Sequence, residues 1–557
     1  MDVFSFIKEI KMKKTFLTIS ILVLALAFIV SCGSGEKTVT PDDQPDTEAV
    51  DTDTNTDPSD SGSESSCGNR VVDAGEVCDG NAKDCSEINP NSTGFAYCKS
   101  DCSGYDESTC KGKDTGDTTP GGDTGDTTPG GDTGDTTPDP VGNVEFERIT
   151  VDDNPLNPAF VTVDDLDEDG NLDMIVCQYG PSMTGRIDIY WGTGNLSQWS
   201  RETLNIDGNK NEIQFPHPVK VADLNGDGVK DIVVPGGFLA CAANPLNGDC
   251  GSLFWLEGIA GQKNKWTRHD LVTKNDHFFF DVSLVDIDGD GIDDILTNGS
   301  QKTMLQAMDE RLMWFKGTDT ADRFEKTARV IANGNGGPFP RFVDINGDGK
   351  KDIALAQYFN KNISTEGSFI WFEQGATAEN WTKHIIDNES GESFMLEIID
   401  DLYGDGVRRA VGVNHVNTSD TPNGPKEGVF IFDIPEDPTQ KWTKKNIATD
   451  IKSRKSPLMG PQGAPGLFGY GDITGNGLID LVVSGDGDSR VFWFEQNPAG
   501  TFTQHTLDGV AGAEINSSGS FGQAGGMKIV DLDKDGKNEI VVTLYEDNKL
   551  YIYKYNK

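Results

Sequence analysis

The sequence is short of positive charge: 47 Lys and Arg stand against 91 Asp and Glu, a formal charge of −44 with the six His counted neutral. A surface of that sign does not hold a phosphate backbone, so nucleic acid is not expected as a partner. Apolar residues are also few, at 35%, while Gly reaches 65, so part of the chain cannot bury a core and part must be rich in turns. The longest apolar run, Thr15 to Val30, falls short of the roughly 20 residues that a membrane-spanning helix needs.

Catalytic signals are scarce too. No GxSxG, no HExxH, no Ser-His-Asp order and no Gly-rich phosphate loop is readable. His269, His384 and His505 occupy equivalent places in a repeated strand, which makes them repeat decoration. His217, His277 and His415 read as isolated surface or core residues. No residue is assigned a catalytic role, and the chain reads as a binding protein rather than an enzyme.

What is present divides the chain into segments. Lys8, Lys11, Lys13 and Lys14 precede the apolar run, as in a secretion signal, and Met12 opens a second complete signal with MKKTFL. The run ends Ile29-Val30-Ser31-Cys32, which resembles the lipobox of bacterial lipoproteins. The resemblance implies removal of residues 1–31, a lipid on Cys32, and placement at the bacterial cell envelope, with Gly33 favouring the outer membrane or cell surface. The membrane would then be met through the lipid anchor only. Residues 32–66 are almost all Asp, Thr, Ser, Glu, Pro and Gly, an acidic tether of roughly 30 Å as a flexible coil. Residues 111–143 repeat DTGDTTPGG and form a second spacer.

Between the tethers, residues 67–110 hold Cys67, Cys78, Cys85, Cys98, Cys102 and Cys110. In an exported chain that density predicts a disulfide framework, with fifteen pairings open. Zinc is the competing reading, but the segment has no His and no paired CxxC. The opening CGNRVVDAGEVCDG resembles a cysteine-rich repeat of bacterial surface proteins, with Arg70 in place of a Gly, and implies a structural or adhesive element.

From residue 144 to 557 a nine-residue loop recurs seven times, starting at Asp165, Asp223, Asp286, Asp344, Asp401, Asp472 and Asp531. Oxygen side chains at positions 1, 3 and 5 and a carboxylate at position 9 suit a hard cation such as calcium. Position 6 is always Gly, as a turn with positive φ requires. Position 7 is chemically variable, so its ligand is expected to be the backbone carbonyl, as in an EF-hand. The first loop thus offers Asp165, Asp167, Asp169, Asn171 and Asp173. The second offers Asp223, Asn225, Asp227, Val229 and Asp231, and the third Asp286, Asp288, Asp290, Ile292 and Asp294. The fourth offers Asp344, Asn346, Asp348, Lys350 and Asp352, and the seventh Asp531, Asp533, Asp535, Lys537 and Glu539. The sixth, with Asp472, Thr474, Asn476, Leu478 and Asp480, should bind weakly. The fifth, with Tyr403 and Arg409, should be empty. Carboxylates crowded this closely repel one another unless a cation compensates them. The competing reading is an Asp-Gly turn that closes a hairpin without metal.

Each loop sits between short β-branched runs, such as VKVAD before and DIVVP after, so the fold class is all-β. Two further strands follow, as in Leu253-Phe-Trp-Leu256 and Trp266-TRHDL, and their aromatics read as core between blades. The last strand has only six copies after the loops; the missing one is Phe146-ERIT, which should pair with Lys549–Tyr555 and close a ring. This pattern resembles the FG-GAP/VCBS repeat family and implies a calcium-binding, seven-bladed β-propeller over residues 144–557. Relatives of that kind serve in integrin α-subunit heads, in lectins and in secreted lyases and dehydratases, so the resemblance speaks to fold more than to activity.

Counting three residues back from each loop gives Thr162, Lys220, Ser283, Arg341, Ile398, Gly469 and Lys528. If the residues two before each loop face the blade core, period 2 turns this set to the central channel. Lys220, Arg341 and Lys528 then form a candidate site for an anion or uronate, with a solvated channel as the bland alternative. Cys241 and Cys250 should form a disulfide, and Cys177 should be a buried free thiol. The expected function is recognition of a glycan or a surface protein by a monomer. Carbohydrate lyase or dehydratase chemistry is the alternative, and a purely structural role the third reading.

Overall fold

In the computed structural model the chain divides into two compact units, Met1–Asp135 and Thr136–Lys557. The structure describes five short strands between residues 82 and 112, and residues 145–557 apart from 181–184, 208–212, 238–250, 276, 302–308, 359, 361, 419–420, 457–459, 512–523 and 546. In the first unit Ala82–Asp84 pairs with Phe95–Cys98, which pairs with Tyr105–Asp106, and Ser92–Thr93 pairs with Lys111–Gly112. The signal segment, Cys32, the six cysteine side chains of residues 67–110, and Cys241 with Cys250 lie outside the described residues. Among the described residues, no helix is long and apolar enough to cross a membrane.

The second unit is a seven-bladed β-propeller, each blade one four-stranded antiparallel sheet. Blade one runs Pro158–Asp164, Asp173–Tyr179, Gly185–Trp191 and Ser200–Thr203 from the channel outwards. The second strand is buried from end to end in every blade except at the terminal Arg409 of blade five and at positions outside the described side chains; Asp231–Gly236 and Glu539–Leu544 are examples. A strand flanked by two others in its own sheet and covered on both faces by neighbouring blades must be apolar along its middle, with buried polar residues such as Asp173 and Gln178 kept to hydrogen-bonded positions near its ends, which is why these segments read as near-continuous β-branched runs. The apolar clusters form between blades. Trp314, Leu312 and Leu296 of blade three, for instance, pack on Ile353, Leu355 and Ile370 of blade four.

The ring closes as the count of strands predicts. Phe146–Asp152 is the outermost strand of blade seven, antiparallel to Lys549–Tyr555, with Tyr553 opposite Arg148. Phe146 packs its ring edge-on against Trp493 of blade six at 5.1 Å, and Arg148 reaches the buried Asp508 at 2.9 Å. The final sheet is thus built from both ends of the propeller sequence, and no blade is left with an unpaired third strand.

Antiparallel order also sorts the connections. The acidic loops join first to second strands on one face, together with the third-to-fourth turns. The opposite face carries the second-to-third and blade-to-blade connections, including the described residues of 415–418, 421–428, 447–456 and 460–467.

Candidate functional site

Each acidic loop is shaped by its own carboxylates. In blade two, Asp223 accepts the N–H groups of Gly226 and Gly228 at 2.7 and 2.9 Å. Position 6 has positive φ in all seven loops, from Gly170 at 91° to Gly536 at 90°. Position 4 is left-handed as well; it is Gly in five loops and the non-Gly residues Glu168 and Lys534 in the others, at φ 57° and 60°. The N–H of position 7 donates to the side chain of position 5 in every loop, as Val229 does to Asp227 at 2.8 Å.

The position 9 carboxylate has a second task that its spacing did not disclose. Asp231 accepts the N–H of Leu224, at loop position 2, and that of Gly258, at the end of the third strand, both at 2.9 Å. Asp173, Asp294, Asp352 and Asp480 repeat this clamp on Leu166 and Gly192, Ile287 and Gly317, Ile345 and Gln374, and Ile473 and Gln496. Burial pushes Asp173, Asp231, Asp294 and Asp480 up to about 6, against the lowering effect of these N–H donors. Glu539 accepts the Leu532 N–H at 2.9 Å on one oxygen, while its other oxygen is buried and ion-paired with the Lys554 ammonium at 3.4 Å.

Carboxylate oxygens converge within 4.8 Å in the groups Asp165–Asp167–Asp173, Asp286–Asp288–Asp290 and Asp531–Asp533–Asp535. Asp165 and Asp531 each keep one buried oxygen with no hydrogen-bond donor. Hard oxygen donors with spare buried lone pairs fit a calcium ion.

The loops are not as uncompensated as the sequence argument supposed. Where position 3 is Asp, a lysine ammonium reaches it: Lys263 to Asp167, Lys316 to Asp288 and Lys554 to Asp533. Where position 3 is Asn, the matching partner is a glutamate: Asn225 donates to Glu257 at 3.3 Å and Asn346 to Glu373 at 3.1 Å. Lys554 in the third strand of blade seven and Lys316 just past the end of that of blade three occupy the same place as Glu257 and Glu373, two residues after the core aromatic or aliphatic position. That place therefore holds a lysine where position 3 is an anionic Asp and a glutamate where it is a neutral, hydrogen-bond-donating Asn. Nothing in the loop motif itself signals this, because the partner lies outside it, 28 residues further along for Lys316 and Asp288 and 32 for Glu257 and Asn225, and in the next blade for Lys263. In blade five Arg409 supplies the positive charge from within the loop.

The histidines behave as repeat decoration. His269, His384 and His505 stack on Trp255, Trp371 and Trp493 at 4.2, 4.4 and 4.6 Å. The same rings bond Glu257, Glu373 and Glu495 at 2.9, 2.9 and 3.1 Å. Cys177 is a buried free thiol that donates to the His217 carbonyl at 3.1 Å.

Blades five and six depart from the expected channel register. In six blades the residue just before the loop pairs with position 9, as Val343 does with Asp352. In blade five Ile399, two before Asp401, pairs with Arg409. The loop there is one residue longer, so Glu397 and not Ile398 is the register equivalent of Arg341. Ile398 instead packs in the core between blades four and five. The assumption that residues two before each loop face the core also fails in blade six, where Tyr470 is 38% exposed.

Lys220, Arg341 and Lys528 do line one cavity of about 70 Å³ in the channel. Arg341, however, is not free: its Nε meets Glu397 at 2.5 Å and its Nη1 meets Asp281 at 3.2 Å. A register shift between Phe279 and Val282 accompanies Asp281's arrival at this site, an irregularity that strict alternation could not foresee.

On the opposite face an aromatic chain rims the channel. Tyr179 and His217 bond at 2.9 Å, His217 packs on Phe280 at 4.3 Å, Phe280 on Phe394 at 5.8 Å, and Phe394 on His415 at 5.1 Å. Tyr358, Phe394 and Tyr545 are half-buried there, while His217 is fully buried and its protonation is pushed down to about 3 by burial.

A family model described as an FG-GAP-like repeat matches residues 165–234 and 472–542, so the chain carries such repeats in blades one and six and on into blades two and seven. No curated protein matches the chain. Among solved structures, a polysaccharide lyase of a new family, described as an ulvan lyase, is 12% identical; the match covers 73% of this chain and 95% of that one, with a TM-score of 0.40. The soluble aldose sugar dehydrogenase from Escherichia coli is 10% identical over 74% of this chain and 100% of that one, with a TM-score of 0.33. A thermostable family-43 glycoside hydrolase is 12% identical over 55% of this chain and 100% of that one, with a TM-score of 0.32.

Proposed function

We propose that this seven-bladed propeller with FG-GAP-like repeats is a calcium-stapled binding module, tethered by lipid to a bacterial cell surface, that engages a glycan or a surface protein. The observation that carries the reading is the division of labour between its faces. One face holds seven short loops built on a single plan; the other holds the long, non-repeating connections and the half-buried aromatics Tyr358, Phe394 and Tyr545. Rigid frames that present variable loops and amphipathic rings are suited to recognition.

Calcium belongs to the first face. The side chains of Asp165, Asp286 and Asp531 with their partners at positions 3, 5 and 9 would hold it, and the ion would supply charge compensation and cross-linking of the loop, with no chemical step. In blades one, three and seven it would displace Lys263, Lys316 and Lys554, whose side chains are partly exposed and able to swing away. In blades two and four no lysine among the described residues meets position 3, and Glu257 and Glu373 add a carboxylate beside it.

A second reading, chemistry on a carbohydrate at the channel rim, draws on the Tyr179–His217 pair. Against it stand the full burial of His217 and a protonation too weak for a general base at neutral pH. The deciding experiment is a glycan array with the full chain in millimolar calcium and again in chelator, followed by a polysaccharide-degradation screen. Calcium-supported binding without turnover is the expected result; degradation of a bound polysaccharide would overturn it in favour of the enzyme.

A further inference from the structure

The inner strands place one residue each in a single layer of the channel: Thr162, Lys220, Ser283, Arg341, Glu397, Gly469 and Lys528 share the same register relative to position 9. Three of these side chains are satisfied sideways. Thr162 donates to the Val219 carbonyl at 2.9 Å, Ser283 to the Pro340 carbonyl at 3.3 Å, and Arg341 is balanced by Glu397 and Asp281. Lys220 and Lys528 are different: among the described residues neither has a hydrogen-bond or ion-pair partner, and both border the same 70 Å³ cavity. They stand on the two blades flanking blade one, with the short Thr162 between them in the layer.

We propose that Lys220 and Lys528 form a binding site for a small oxyanion, a carboxylate or sulfate group, inside the propeller channel. The charges of the layer support it. Three cations, Lys220, Arg341 and Lys528, meet two anions, Asp281 and Glu397, so one positive charge is left over in a chain whose total is −44. Two like charges facing one cavity repel, and the repulsion falls when an anion comes between them. Burial within the ring first, and then Lys220 and Arg341, push Lys528 down to about 8, against the raising effect of Asp281 and Glu397. Its side chain is exposed, but the cavity it borders lies inside the channel, and access to that water makes the depression smaller than a sealed site would give. The cavity is about the volume of two water molecules, enough for one oxyanion and too small for a whole sugar ring, with Phe160, Met395 and Met527 as apolar walls.

The inference goes beyond the surface-binding reading and survives its failure, because it is tested with simple ions. Sodium acetate, sodium sulfate and sodium glucuronate are titrated into the full chain against sodium chloride at constant ionic strength. Binding is read from calorimetry and from the 15N-edited lysine signal of Lys528. The expected result is saturable binding of acetate or sulfate, a rise of the Lys528 titration midpoint above its value of about 8, and at least tenfold weaker binding in Lys220→Met and in Lys528→Met. Lys326→Met, a surface change, should bind as the parent does. Sulfate or acetate bound as tightly as glucuronate identifies a free ion as the occupant. Glucuronate bound at least tenfold tighter identifies the carboxylate of a sugar acid reaching in from the channel mouth. No saturable binding of any of the three, or binding unchanged in both lysine variants, overturns the proposal.

Discussion

Arg409 lies across Asp405, its two terminal nitrogens each 2.8 Å from a different carboxylate oxygen. Its Nε meets Asp433 at 3.0 Å, and the guanidinium sits 3.9 Å from the centre of the Tyr403 ring. The fifth loop therefore carries its own cation where the other six have a carboxylate. Arg409→Met should cost about 1 kcal/mol, discounted because Asp405 and Asp433 are largely exposed, and the loss should be equal in calcium and in chelator. The pair Tyr403→Asp and Arg409→Asp should widen the melting-temperature gap between calcium and chelator by several degrees over the parent, as scanning fluorimetry would show. An unchanged gap would separate the loop pattern from calcium.

The position 9 clamp predicts a residue that matters with or without metal. Asp231→Ala leaves the buried N–H groups of Leu224 and Gly258 without their acceptor and should cost about 2–4 kcal/mol even in chelator. Asp227→Ala, at exposed position 5, should cost less than about 1 kcal/mol in chelator and weaken calcium binding. Denaturant melts of both variants in the two conditions check the contrast, and equal losses in chelator would refute the clamp.

Closure by the N-terminal strand is equally open to test. Removing residues 1–152 takes away the outer strand of blade seven, the Phe146–Trp493 contact and the Arg148 cation that pairs with the buried Asp508, leaving Asp508 with Tyr553. The truncated chain should self-associate through the freed edge of Lys549–Tyr555. Phe146→Ala in the full chain should lose about 2–4 kcal/mol while remaining monomeric. Size-exclusion chromatography and melting of the two proteins give the answer; a monomeric truncation as stable as the full chain would show that the strand is dispensable.

His217 ties stability to acid. Burial lowers its folded midpoint to about 3 from the ordinary 6.5, so between those values the unfolded chain binds a proton that the folded one refuses. Its contribution is present above the unfolded midpoint and is lost as pH falls from about 6.5 towards 3. His217→Gln should flatten that limb of the curve of melting temperature against pH while lowering stability at neutral pH. A parent and variant with parallel acid limbs would assign the acid sensitivity elsewhere.

The legible and illegible parts of this protein divide along one line. Seven copies of DxDxDG-type loops, the continuous apolar second strands, the strand count and the front strand that completes blade seven could all be read from spacing. So could the positive φ at position 6 and the burial of Trp255, Trp314, Trp371 and Trp493. The dual role of Asp231, the salt-bridged state of Arg341 and the match between position 3 and the third strand could not. Counting back from Asp401 pointed to Ile398, because a count along the chain does not register that blade five's loop is one residue longer.

What the sequence determined by itself is everything that repeats within a few residues: turn geometry follows from Gly and Asp at fixed positions, and strand burial from unbroken β-branched runs, because both depend on local backbone preferences and solvation. What only the tertiary structure decided is which charges meet. Lys316 finds Asp288 across 28 residues, and Lys220 and Lys528 share a cavity from opposite ends of the propeller sequence. Those meetings depend on strand register and on the closing of the ring, which bring together side chains that no spacing along the chain relates.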